Sequence, residues 1–212
     1  ACDPASEHAK CVNGLECAEL AAGGHKCFEP VQLRGMVFDA ESEAAIEGAH
    51  VLALDEQGTA KSDIAISDAA GEYSLTVPVP RNDDGSPAAG YPFFLRAQAQ
   101  DYQTFPSRIR TALPIEVGDA AQTEGAWILD SALTDIALLL LPDDQQGLPS
   151  VAGSVLAGDP SGGVLVVAED GGGAGLSAVS DLSGAYTIFN VPAGAYTVKG
   201  YAAGLQLEPA EA

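Results

Sequence analysis

The chain has 212 residues, 47% of them hydrophobic and 18% charged, with 30 acidic against 9 basic side chains and a formal net charge of −21. That length suits one large domain or two small ones, and a charged fraction below the usual ~25% excludes a charge-rich disordered polymer. The acidic surface repels phosphate backbones and anionic lipid, so nucleic acid and anionic membranes make poor partners; it serves solubility or draws cations such as calcium.

The chain begins at Ala1 and not at Met, which predicts either a removed signal peptide or a piece cut from a longer chain. Cys2, Cys11, Cys17 and Cys27 all fall in the first 27 residues. An even count in so short a segment reads as two disulfides, because a head spanning residues 1–30 cannot bury enough surface to hold itself together. The compartment is then oxidising: extracellular, cell-surface or bacterial periplasm. Three pairings exist, and the interleaved Cys2–Cys17 with Cys11–Cys27 is expected because it makes a compact knot. The same cysteines allow two other readings. Zinc could use these thiols with His8 and His25, but no C-x-x-C spacing is present. Cys2 could be the lipid anchor of a bacterial lipobox, which would leave an odd thiol. The run Cys11-Val12-Asn13-Gly14-Leu15-Glu16-Cys17 resembles the C-x-x-G-L-x-C core of small cysteine-rich repeats of secreted proteins.

From Val31 to residue 142 the chain reads as short strands punctuated by Gly, Asp and Pro, the rhythm of a sandwich. Strands are expected at 33–39, 49–54, 64–68, 72–77 and 93–99, with a bent or edge strand at 109–117 around Pro114. Further strands follow at 127–130 and 134–141, and the apolar run 136–141 predicts a strand covered on both faces, by a neighbouring domain. No stretch reaches the ~20 apolar residues of a membrane helix. Residues 143–150 are the linker, after which the programme restarts over 151–212.

The halves repeat one another. Asp68-Ala69-Ala70-Gly71-Glu72-Tyr73-Ser74-Leu75 aligns with Asp181-Leu182-Ser183-Gly184-Ala185-Tyr186-Thr187-Ile188, and Leu33-Arg34-Gly35-Met36-Val37 with Val151-Ala152-Gly153-Ser154-Val155. In each copy Asp caps its own turn, Gly takes the φ > 0 position and the aromatic opens the next strand. These motifs, with Gly48-Ala49-His50-Val51 and Pro192-Ala193-Gly194-Ala195-Tyr196, resemble the carboxypeptidase regulatory-like family. The resemblance implies an all-β protein of two tandem Ig-like or transthyretin-like sandwiches of about seven strands each. It implies no enzyme, since in that family the carboxypeptidase's metal site lies in a separate catalytic domain. The second copy lacks a clear G-A-x-V start, and a strand equivalent to 134–141 is missing from it, so the chain is either a fragment of a longer protein or takes that strand from another molecule.

Catalytic signatures are absent: no G-x-S-x-G, H-E-x-x-H or P-loop occurs, and His50 reads as a partly exposed strand residue. No cofactor is expected. The best calcium candidates are Asn82, Asp83 and Asp84, a cluster of hard oxygens in one turn. Starch-binding relatives stack sugars on exposed aromatics, and Tyr91, Phe93, Tyr102, Phe105 and Trp127 are the glycan candidates in the first copy. The reading that absorbs most features is a non-enzymatic extracellular structural module: a stalk, adhesin or filament subunit. Its partners would be other copies or further domains of a surface protein, with the second sandwich completed by a neighbour's strand. A carbohydrate-binding module is the alternative.

Overall fold

A computed structural model describes residues 2–3, 11–107, 110–123, 125–157, 159–160, 162–173, 175–204 and 206–212. Ala1, His8 and Ile109 lie outside them. The chain is all-β, a disulfide-stapled hairpin followed by two sandwiches, with only two short 3-10 turns among the described residues.

The head is the antiparallel pair β1 (Glu16–Glu19) and β2 (His25–Phe28), with Cys17 opposite Cys27. The first sandwich contains β3 (Val31–Asp39), β4 (His50–Leu54), β5 (Ala65–Ile66), β6 (Glu72–Val77), β7 (Phe94–Gln98), β8 (Ala121–Thr123), β9 (Ala126–Asp130) and β10 (Ile136–Leu138). Its alternation is visible in β3, where Val31, Leu33 and Val37 are fully buried while Gln32 and Arg34 face outward. One sheet is built on β3. Strand β6 runs antiparallel along one edge, while β9 and then β10 run parallel along the other. The facing sheet has the order β5-β4-β7. Between them pack Val37, Val51, Leu75, Leu95, Ile136 and Leu138.

The second sandwich contains β11 (Val151–Ser154), β12 (Leu156–Ala157), β13 (Asp159–Pro160), β14 (Leu165–Glu169), β15 (Gly175–Val179), β16 (Ala185–Ile188), β17 (Thr197–Tyr201) and β18 (Ala210–Glu211). Strand β11 pairs with β16, opposite a sheet of order β15-β14-β17-β18. Its core is smaller and separate, built on Val155, Val164, Val166, Ala168, Ile188 and Val198.

Two strand expectations are corrected. The run 136–141 is not covered throughout: the strand stops at Leu138, and Leu139 and Leu140 are 38% and 48% exposed. The covered outer face belongs to β4 and β7 instead, where residues 177–189 of the second sandwich pack. Within the described part of 109–117, Ile115 makes an isolated bridge to Phe93 and no strand forms.

Candidate functional site

Disulfides join Cys2 to Cys17 and Cys11 to Cys27, the interleaved pairing. Among the described residues, the one group of three close enough to share a metal is Cys2, Cys11 and Cys27, whose sulfurs are all in these bridges. The head is docked by Arg81, which is 1% exposed. Its guanidinium donates to Glu29 O at 2.7 Å and lies 5.7 Å from the Phe28 ring centroid, while its backbone bonds Glu19 and Ala21. Burial lowers its pKa, opposed by Glu16 and Glu29. The Asp-, Pro- and Gly-containing loop 78–92 thus supplies the clamp for the head.

Asn82 and Asp84 do not stand free, because their side chains bond within their own turn. Asp84 Oδ1 accepts from the Ser86 N–H and hydroxyl, and the Asn82 amide donates to Ser86 Oγ and Pro87 O. Asn82, Asp83 and Asp84 close a tight turn with Gly85 at φ +89°. The glycan candidates do not form one platform either. Phe93 is 4% exposed in the core, with Tyr102, Phe105 and Trp127 packed against that core; Tyr91 is 46% exposed. Tyr91 and Phe93 border a groove of about 340 Å³ beside Asp55 and Lys61. Tyr102 borders a different cleft, about 360 Å³, between the sandwiches with Leu148, Phe189 and Tyr196. The alternation of strands and turns placed these rings on different faces, which proximity in sequence does not reveal.

The sandwiches are joined by a polar lock. Asn190, at φ +59°, accepts from Asp101 N at 2.7 Å and Gln100 Nε2 at 2.9 Å. Its amide donates to Ala99 O and Tyr102 O. Nearby, Gln98 and Arg96 both donate to Ser177 O, and His50 meets the Phe189 ring edge-on at 4.9 Å. Burial lowers the pKa of His50.

The two copies repeat down to single hydrogen bonds. Asp68 Oδ1 accepts from the N–H groups of Ala70 and Glu72, and Asp181 Oδ1 from those of Ser183 and Ala185. Ser67 Oγ accepts from Ala49 N at 2.9 Å, and Ser180 Oγ from Val164 N at 3.0 Å. The second copy therefore does have the start it seemed to lack: Gly163-Val164-Leu165-Val166 stands where Gly48-Ala49-His50-Val51 does. The sequence motif missed it because Val replaces Ala.

In this alignment β11 matches β3 and β16 matches β6, but among the described residues of 151–212 nothing matches β9 and β10. Phe93 exchanges two backbone hydrogen bonds with Ile115, and its counterpart Tyr196 exchanges two with Ala212. Residues after Ile115 go on to fill the second edge of β3. Val155 donates its N–H to Gly184 O on the β16 side. By the alternation of an antiparallel pair, the N–H and C=O groups of Ala152 and Ser154 face away from β16. Both residues are exposed. Beside this edge a groove of about 450 Å³ reaches the core residues Val155, Val166 and Val198, with Tyr186 and Leu207 on its walls. In the first sandwich Ile136 and Leu138 close the core at this place.

A scan against protein-family models finds no match, and neither does a search of curated proteins. Among solved structures the chain is similar to the Bacillus anthracis TIE protein, at 13% identity and TM-score 0.33, covering 88% of this chain and 31% of that one. It is also similar to a streptococcal ancillary pilin, at 13% identity and TM-score 0.32, covering 86% and 58%. A third is the shaft pilin SpaA of Lactobacillus rhamnosus GG, at 10% identity and TM-score 0.30, covering 86% and 92%. The chain spans about a third of the first of these proteins and under two thirds of the second. No helix among the described residues is long and apolar enough to cross a membrane.

Proposed function

We propose that the chain is a non-enzymatic structural module of an extracellular or cell-surface assembly, a stalk, adhesin or filament subunit, whose second sandwich is completed by a strand from a neighbour. The supporting observation is the free edge of β11 beside an open core, where the first sandwich has two strands in place. An unpaired edge over apolar side chains is a template for another chain. The two disulfides favour an oxidising compartment. The Asn190 lock suits a module that carries a fixed angle from one sandwich to the next. Light scattering after size exclusion of the natively isolated protein, with a negative-stain grid, tests this. Ordered polymers are expected, and a well-folded monomer would contradict the reading.

Carbohydrate binding is the second reading, favoured only by the cleft between the sandwiches, where Tyr102, Phe189 and Tyr196 come together. A monomer whose melting point rises with added glycan would move the account there.

A further inference from the structure

The first sandwich contains a worked copy of what the second lacks. Tyr73 donates its hydroxyl to Thr134 O, in the turn between β9 and β10. The Met36 N–H donates to Asp135 Oδ1 at 3.0 Å in the same turn. Gly35 lies so close to the Thr134 carbonyl that a Cβ there would collide with it. Ile136 and Leu138 then enter the core, with Ala137 between them held by Arg110.

Each acceptor-side feature recurs in the second sandwich without its partner. Tyr186 stands for Tyr73, and no hydrogen bond of its hydroxyl is present among the described residues. Instead the phenol lies over Gly153, the counterpart of Gly35, where an added Cβ would meet the hydroxyl at 2.6 Å. Ser154 stands for Met36, its N–H turned to the free edge. The groove beside Val155, Val166 and Val198 stands where Ile136 and Leu138 sit.

We infer that the β11 edge is a specific acceptor for a parallel strand of another polypeptide, carrying the chemistry of residues 134–138: a free backbone carbonyl, an Asp-like acceptor, then apolar–x–apolar. This rests on the assembly reading and names its donor. The carbonyl takes the Tyr186 hydroxyl, the acceptor takes the Ser154 N–H, and the two apolar side chains fill the groove. The direction is parallel, because β9 and β10 both run parallel to β3. An antiparallel donor would present its side chains and its turn in the wrong order. Among the described residues of 151–212, Ala212 occupies the place of Ile115 and none takes the places of Ile136 and Leu138.

The test uses the 212-residue chain and a labelled synthetic peptide of residues 126–138, read by fluorescence anisotropy. Saturable binding is expected. Tyr186→Phe should weaken it about tenfold, the worth of one buried hydrogen bond. Ala152→Pro should abolish it, because that proline removes an N–H facing the incoming strand and none facing β16. Ser154→Pro is a second variant of the same kind should the first fail to fold. A peptide carrying Ile136→Asp and Leu138→Asp should not bind. Absence of saturable binding, or binding indifferent to these variants, would overturn the inference. Polymers of the native protein that form equally well with Ala152→Pro would also overturn it, while leaving the assembly reading in place. Peptide binding by a protein that stays monomeric would uphold the edge and remove the assembly reading.

Discussion

Tyr73 and Tyr186 are the same residue of a repeat placed in two states, one hydrogen-bonded and one not. Tyr73→Phe should cost about 1–2 kcal/mol in urea unfolding, since it leaves the Thr134 carbonyl without its donor. Tyr186→Phe should stay within about 0.5 kcal/mol in the isolated chain. Equal costs would mean that the Tyr186 hydroxyl already has a partner. Asp39 makes a pH prediction at the same scale. Its carboxylate is held below the usual range, first by the Ser42 N–H and then by the Ser42 hydroxyl. A lowered folded pKa means stability that is fully present above the ordinary carboxylate range and is lost as pH falls through the folded value. Asp39→Ala should therefore flatten the fall of melting temperature between neutral pH and pH ~3; an unchanged acid slope would contradict this. The turn role of Asp68 and Asp181 was legible in sequence because Asx chemistry is local. The role of Arg81 was not, because its partners Phe28 and Glu29 are more than fifty residues away and nothing in an Asp- and Pro-rich loop marks one arginine as buried.

Strands carry the next lesson. Most of the strands expected from alternation and turn residues are present, shortened at their ends where neighbours stop pairing. The apolar run 136–141 misled because hydrophobicity alone does not say which side is covered: Leu139 and Leu140 leave the sheet, and Leu140 instead bridges Tyr102 at the surface. The free edge of β11 could be suspected from the missing repeat, but its direction and its empty tyrosine required knowing which strands lie on either side of β3. One prediction belongs here. Pro at 152 should be tolerated, costing less than about 1 kcal/mol, because it falls on an N–H that bonds no other strand. Pro at 153, one position on, should cost about 3 kcal/mol, because that N–H faces β16. Comparable costs at both positions, measured by thermal melting, would mean the edge is not free.

At the scale of the whole molecule, the Asn190 side chain reaches across the junction of the sandwiches with four hydrogen bonds, beside those from Arg96 and Gln98 to Ser177 and from the Ile64 N–H to Asp181. Asn190→Gly keeps the φ > 0 backbone comfortable and removes all four. It should cost about 2–3 kcal/mol and separate one unfolding transition into two; a single unchanged transition would show that the packing of His50 and Arg96 suffices alone. What the molecule then presents is a closed sandwich bound to an open one.

That asymmetry is most directly tested by amide hydrogen exchange on the monomeric chain. The amides of Arg34 and Met36, facing β9 and Asp135, should be protected, while those of Ala152 and Ser154 should exchange near the rate of an open strand and become protected when a donor strand binds. Protection of Ala152 and Ser154 in the isolated monomer would mean that the second sandwich is already closed, and the account of this protein as an acceptor of a neighbour's strand would be wrong.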